Sequence, residues 1–399
     1  MLLISVGAGR WQSHGISCAI KSGLDVLALD ADPNARGFDI ANTRSVVDIS
    51  NSDLVLDTLK KMNIQPNGAI SFAAEVGMQT VARIREHYNL PGIYSDVTDM
   101  LTNKALQRKC WEEQGLPNPF WVCCKNIGEV QSTISEINFP IIVKPVDSAG
   151  SRGVTIANSE EELILAAECA FEHSCLKSIL IESILPGSEY TVETFSCNNK
   201  AYVLAVTVKR KVDGTNGTVA DQLMTPELDI CLEKRIKALA CSALESLGLS
   251  EGAGHVEIMA TDDGKLGLIE AAGRGGGFMV FDRFVSLSSG YDLPSATAIQ
   301  AVGITPPTIP TTGKTENFVL LRFIPSKMGT ITNISGFNDA NKIDGIEAGS
   351  FVEVGDHVEQ ASTDGDRLGY ILAYAKDHKT VQDLADTAEN LIEVEVGLH

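Results

Sequence analysis

The sequence has little positive charge. Its 32 Lys and Arg stand against 52 Asp and Glu, a formal net charge of −20 at pH 7. No basic patch forms, so a nucleic-acid or anionic-membrane partner is not expected. Any phosphate ligand must then be held by a few local cations and a metal. No apolar run reaches transmembrane length, and no low-complexity tract or solenoid repeat occurs. The nine cysteines are odd in number and lack the C-x₂-C spacing of a metal site. Cys123 and Cys124 are adjacent and poorly placed to bridge each other. The set reads as reduced thiols in a cytoplasmic protein. The opening Met-Leu-Leu-Ile-Ser-Val lacks the length and basic flank of a signal peptide.

What is present is ordinary globular composition, 44% hydrophobic and 21% charged. A chain of 399 residues is too long for one ordinary core and predicts two or three domains. The rest of the chain is organised around one hairpin. Gly254 to Ala260 and Leu266 to Glu270 read as strands, joined by Thr261-Asp262-Asp263-Gly264-Lys265. Asp263-Gly264 is a favoured two-residue turn. That turn sets Asp262 across from Lys265 and Glu257 across from Glu270. Two carboxylates so placed destabilise each other, so a positive group should lie between them. Mg²⁺ suits carboxylate oxygens and also takes substrate phosphates. The second arm runs into Gly273-Arg274-Gly275-Gly276-Gly277. Glycines there admit backbone close to a ligand, and Arg274 can fork onto a carboxylate or phosphate. A solvated surface hairpin is the plain alternative.

Along the chain, residues 1–95 alternate strand and helix, which predicts a small doubly wound domain with a parallel sheet. Gly7-Ala8-Gly9 and Asp30 invite a dinucleotide reading, but Gln12 stands where the third glycine would be. Glu75 follows a strand end, where such sheets bind ligands, or it is a plain helix N-terminal acid. Residues 97–115 read as one helix with Lys104 and Arg108 on a shared face, locally a solvated one. Phe139 to Val146 is an apolar strand carrying Lys144, which needs an anionic partner. Asp147 to Gly153 forms a small-residue loop able to close over phosphates. Further strands cover 178–182, 188–195 and 201–208, and Lys209-Arg210-Lys211 is the densest positive cluster. A turn-rich linker at 305–314 precedes a strand-rich segment with no convincing catalytic constellation.

Taken together, these stretches resemble the ATP-grasp superfamily over nearly the whole chain. The motifs are Asn103-Lys104, Phe139 to Pro145 with Ser148 to Gly153, Ile181 to Glu189, Glu257, and Glu270 with Arg274. The resemblance implies a nucleotide site between two sheets and a strand-rich C-terminal domain. It divides the chain into an N-terminal αβ domain (1–95), an ATP-grasp domain (96–315, lid about 117–190) and a supporting domain (316–399). Lys104 and Lys144 match the pair on the α/β-phosphates. Ser148, Ser151 and Gly153 match the mobile loop over the triphosphate. Glu182, Ser183 and Leu185 match the adenine-side connection, and Glu189 the ribose acid. Lys209, with Lys211 as the alternative, matches the γ-phosphate lysine. Glu257 and Glu270 match the Mg²⁺ carboxylates, with Mn²⁺ as a substitute metal. Arg274 matches the arginine that steadies the transferred phosphate. The usual Asn two residues past the second metal Glu is Ala272, which L-amino-acid (dipeptide) ligases also tolerate.

The expected function follows from that resemblance. MgATP activates a carboxylate as an acyl-phosphate, which an amine attacks to give an amide. Glu75, the 213–226 loop, Arg274, Gly276 and residues 275–283 are expected to form the acid and amine pockets. Small-molecule substrates and, by analogy, a homodimer are the expected partners. The rivals are a carboxylase or formate-using purine enzyme, a non-catalytic nucleotide-binding scaffold, and a nicotinamide-dependent oxidoreductase resting on Gly7, Gly9 and Asp30.

Overall fold

The computed structural model describes residues 1–211, 220–310, 316–360 and 364–397. Strands β1 (Leu2–Val6), β2 (Asp25–Asp30), β3 (Thr43–Val46) and β4 (Gly68–Ile70) form a parallel sheet in the order β3-β2-β1-β4. Helices α1 (Arg10–Lys21), α2 (Ser52–Lys61) and α3 (Met78–Tyr88) connect and cover them. Ile4, Val6, Leu27 and Leu29 bury one sheet face against α2 and α3. Leu3, Val26 and Ala28 bury the other against α1 and the helix Leu293–Ala301. Apolar residues on both faces require cover on both, hence a doubly wound sheet.

The expected single helix over 97–115 is two helices, α4 (Ser95–Thr102) and α5 (Lys104–Glu113). Asn103 breaks it. Its backbone is extended, and its side chain accepts from the N–H groups of Ala105 and Leu106 at 3.0 and 3.3 Å. An Asn that bonds the neighbouring backbone favours a cap over a helix interior. The break sets Lys104 at the first position of α5.

Strands β5 (Trp121–Cys124), β6 (Ile141–Pro145), β7 (Thr155–Ala157) and β8 (Ile179–Ser183) form an antiparallel sheet, β5-β8-β6-β7. The helices Ile127–Thr133 and Glu160–His173 pack on it through Val130, Leu163, Ala166 and Ala170. The large sheet uses β9 (Ser188–Cys197), β10 (Lys200–Lys211), β11 (Ala220–Met224), β12 (Gly252–Ala260), β13 (Leu266–Ala272) and β14 (Phe318–Pro325). After β15 (Gly329–Ser335) it takes β16 (Ile346–Ser350) and, past β17 (His357–Val358), β18 (Arg367–Ala375). Its order is β13-β12-β9-β10-β11-β14-β18-β16, so strands from both sides of the 305–314 linker share one sheet. Strands β17, β15 and β19 (Glu393–Gly397) make a small third antiparallel sheet. Among the described residues no helix is long and apolar enough to cross a membrane.

Candidate active site

Glu257 and Glu270 stand opposite each other across β12 and β13, as expected, but by a different route. The turn is longer than two residues. Thr261 N–H donates to Lys265 O at 2.9 Å, so Thr261, not Asp262, faces Lys265, and Gly264 takes φ +78°. That shifts the register by one. A bulge shifts it back: Ile258 pairs with Leu268 and Glu257 with Glu270, leaving Ile269 unpaired. The freed Ile269 carbonyl accepts from Arg108 Nη2 at 2.6 Å.

Strand pairing extends this pair into a polar row. Glu257 is also the partner of Thr191 on β9, and Thr191 of Thr207 on β10. The two threonine hydroxyls are 2.5 Å apart and fully buried. Alternate residues of a strand share a face, so Glu189, Thr191 and Glu193 point the same way, as do His255 with Glu257 and Thr207 with Lys209. The carboxylates on this face are matched by cations. Lys209 Nζ lies 2.5 Å from both Glu189 and Glu257. Lys211 meets the other Glu189 oxygen at 2.5 Å. Lys104 lies 3.1 Å from Glu270 and donates to Ser148 O at 2.6 Å. Lysines thus flank the two opposed glutamates. Arg274 reaches Glu75 at 2.8 Å, joining the hairpin to the N-terminal sheet.

Lys104 and Arg108 do not form a solvated face: they are 4% and 1% exposed. With α5 starting at Lys104, both point between the two antiparallel sheets. Arg108 forks onto Glu182 at 2.7 and 3.2 Å, and Lys144 reaches the same carboxylate at 2.7 Å. Burial opposes the Glu182 charge, but Arg108 and Lys144 outweigh it and hold the pKa down at about 2. Burial likewise pulls Lys144 down, and the competing Arg108 adds to that. Burial opposes the charge on Lys209, yet Glu189 and Glu257 raise its pKa well above the ordinary value. The Glu257 carboxyl falls well below its usual range: burial works against the charge, and Lys209 and His255 overcome it. Burial also opposes the charge on Arg274, and Glu75 outweighs it and raises the pKa.

Ser148, Ser151 and Gly153 lie on the loop between β6 and β7, where Gly150, Ser151 and Gly153 take positive φ. Ser183 follows on from Glu182 and pairs with the backbone of Phe120. Leu185 sits over Gly267 of β13, where an added Cβ would come within 2.6 Å of it. Gly276 is turned toward the sheet: its N–H donates to Glu193 at 3.1 Å. Residues 213–219 of the expected substrate loop lie outside the described residues, and 220–224 form β11. The sequence reading missed Arg108 as a site cation and the pairing of buried Glu193 with partly buried His255. The Glu189-x-Thr191-x-Glu193 alternation was the available signal for Glu193. The dinucleotide reading loses its acid, because Asp30 accepts from the Ala8 and Asp32 N–H groups at 2.7 and 3.0 Å.

Among the described residues no three His, Cys, Asp or Glu cluster as a metal site. Glu257 and Glu270 offer hard oxygens, and Ala272 offers none. That set fits Mg²⁺, which keeps several waters and takes phosphate oxygens.

Residues 137–282 match the ATP-grasp domain, and residues 322–397 match the L-amino acid ligase C-terminal domain 2. The chain carries an ATP-grasp domain. An L-amino acid ligase from Bacillus licheniformis superposes with a TM-score of 0.86 at 18% identity, covering 99% of this chain and 98% of that one. This chain is 25% identical to an uncharacterised protein of Sinorhizobium fredii over 93% of its own length and 77% of the relative. A D-alanine–D-alanine ligase of Pseudomonas fluorescens is 28% identical over 46% of this chain and 56% of that protein. The chain therefore spans about half the length of that named relative.

Proposed function

We propose that this ATP-grasp protein activates a small-molecule carboxylate with MgATP and joins it to an amine. A carboxylate oxygen attacks the γ-phosphorus and ADP leaves, giving an acyl-phosphate. The amine nitrogen then attacks the acyl carbon, phosphate leaves, and the amine gives up one proton to yield the amide. The observation that carries this reading is the face on which Glu257 and Glu270 oppose each other with Lys104, Lys209 and Arg274 around them. Such a face can exchange its internal ion pairs for phosphate oxygens and metal.

In this reading Lys104 and Lys144 hold the α/β-phosphates under the Ser148, Ser151 and Gly153 loop. Glu182, Ser183 and Leu185 hold the adenine side, and Glu189 the ribose. Lys209, set between Glu189 and the metal carboxylate, is preferred over the more exposed Lys211 for the γ-phosphate. Mg²⁺ (or Mn²⁺), held by Glu257 and Glu270, would neutralise phosphate charge. Arg274 steadies the transferring group, and fixed charge of this kind is what phosphoryl transfer demands. Glu75 and Gly276 border the substrates. The division into 1–95, 96–315 and 316–399 and a homodimeric assembly belong to the same proposal.

The test is ADP release with MgATP across amino acids offered singly and in pairs. Release confined to particular pairs establishes the amide ligase. Release that depends on bicarbonate or formate moves the reading to a carboxylase or to a formate-using enzyme; a formate-dependent formyltransferase of Prochlorococcus marinus is 23% identical over 46% of this chain. ATP binding without release on any acid–amine pair favours a scaffold.

A further inference from the structure

One buried donor in the N-terminal unit has no use in the roles given above. Gln12 is 2% exposed, and its Oε1 accepts from the N–H groups of Phe72 and Ala73 at 2.8 and 3.2 Å. Those two bonds fix which end of the amide is nitrogen. The Nε2 is left buried with no partner among the described residues. It points at the turn between β1 and α1, 3.2 Å from where a Cβ on Gly7 would stand. An unmade bond on a buried polar atom is costly, so this donor is arranged for something.

The turn it faces is ready for an anion. Gly9 caps α1 without a side-chain bond, and no acid occupies the first turn. Ala8 N–H is taken by Asp30, but the N–H groups of Gly9, Arg10 and Trp11 have no acceptor among the described residues. The free N–H groups and the dipole of a helix N-terminus both favour negative charge. Two arginines lie beside it. Arg10 is the first residue of α1 and is anchored on Phe351 O at 2.9 Å. Arg36 is exposed and unpaired among the described residues, and it is set beside the turn because Gly37 N–H donates to Ala8 O at 2.6 Å. Burial, and then the Arg36 charge, lower the Arg10 pKa. In a chain of net charge −20, two arginines with no acid partner among the described residues call for an anion.

This turn is wired to the hairpin. Phe72 N–H bonds Gln12, and Phe72 O accepts from Gly275 N–H at 3.2 Å, next to Arg274. We propose that Gln12 Nε2, the first turn of α1, Arg10 and Arg36 form an oxyanion site for a second anionic group on the acid substrate. That group is a phosphate monoester or a second carboxylate, and the reacting carboxylate lies toward Arg274. The assignment to the acid substrate rests on the ligase reading above.

The test is calorimetry on the full chain in saturating MgADP, with inorganic phosphate in one arm and succinate in the other. Either anion binds the wild type, the tighter one naming the group. Arg36→Ala and Gln12→Glu each weaken that binding by about tenfold or more, the scale of a lost charge-assisted bond. Gln12→Glu keeps the acceptor for Phe72 and Ala73 and replaces only the donor. Arg36→Ala alters an exposed side chain, so one variant remains readable if the other fails to fold. No binding of either anion, or equal binding in the wild type and Arg36→Ala, overturns the site. That result leaves ADP release on acid–amine pairs untouched, whereas anion binding without any ADP release overturns the ligase reading alone.

Discussion

Glu182 is a residue where stability and the proposed site meet. It is the shared counter-ion of Arg108 and Lys144, and all three are buried. Glu182→Gln leaves two cations inside with a neutral partner. Breaking a buried pair in this way costs about 3–5 kcal/mol, and chemical denaturation should show a loss of that order. The pH dependence follows from its depressed pKa, about 2 against the ordinary 4.5. Its stabilisation is fully present above pH 4.5 and is lost as pH falls toward 2. The stability gap between wild type and Glu182→Gln should therefore narrow over that window, and a constant gap would refute the assignment. Glu270 behaves differently. It is partly exposed, and its partner Lys104 keeps the Ser148 carbonyl. Glu270→Gln should leave the melting temperature nearly unchanged and abolish ADP release; unchanged release would sink the metal role. The residue types that gather at the candidate site could be read from the sequence, because their order along the chain is specific. Their pairing was not: Lys104 looks solvated beside its neighbours, and the acids that draw it inward lie far along the chain.

At the scale of elements, local chemistry decides where charges end up. Asn103 ends α4 and caps α5, and that cap sets the position of Lys104. Asn103→Ala should cost about 1 kcal/mol in stability, as lost N-caps do. It should also weaken nucleotide binding, since α5 can then start elsewhere. Asn51 caps α2 in the same manner, away from the cleft. Asn51→Ala is expected to cost similar stability with nucleotide affinity unchanged, as read by titration of both variants with ATP. Equal affinity loss in the two would refute a positional role for Asn103. The strands were the most legible elements, since the alternation from Ser188 to Phe195 separates Tyr190 and Val192 on one face from Glu189, Thr191 and Glu193 on the other. The helix break was missed because Lys104 and Arg108 suit a continuous helical face as well as a cap followed by a new helix. The hairpin register came out as expected only because a longer turn and a bulge at Ile269 cancel. The turn residues carry no trace of that bulge, whose acceptor is needed by Arg108 on another element.

For the whole molecule, the decisive feature is that one eight-stranded sheet runs through the cleft and into the C-terminal segment. The linker at 305–314 reads as a boundary because proline, glycine and threonine punctuate it. Turn chemistry is local, though, and strand pairing is not. β11 pairs with β14 through Gln222–Arg322, Leu223–Leu321 and Met224–Leu320. Arg322 Nε bonds the Gln222 side chain at 3.2 Å, and Arg367 Nη2 bonds Ala220 O at 2.6 Å. Leu320, Leu321 and Leu372 are fully buried against this seam. A chain ending at residue 315 would lose all of these partners and present β11 as a bare edge. A bare strand edge of that kind templates association with other chains. The shortened chain should fail to show a cooperative melt and should aggregate at concentrations where the full chain stays monodisperse. Were it instead to melt cooperatively and bind ATP with full-chain affinity, the segment after the linker would be an independent attachment. The large sheet would then be two sheets placed edge to edge, and the nucleotide cleft would owe nothing to the segment that follows it.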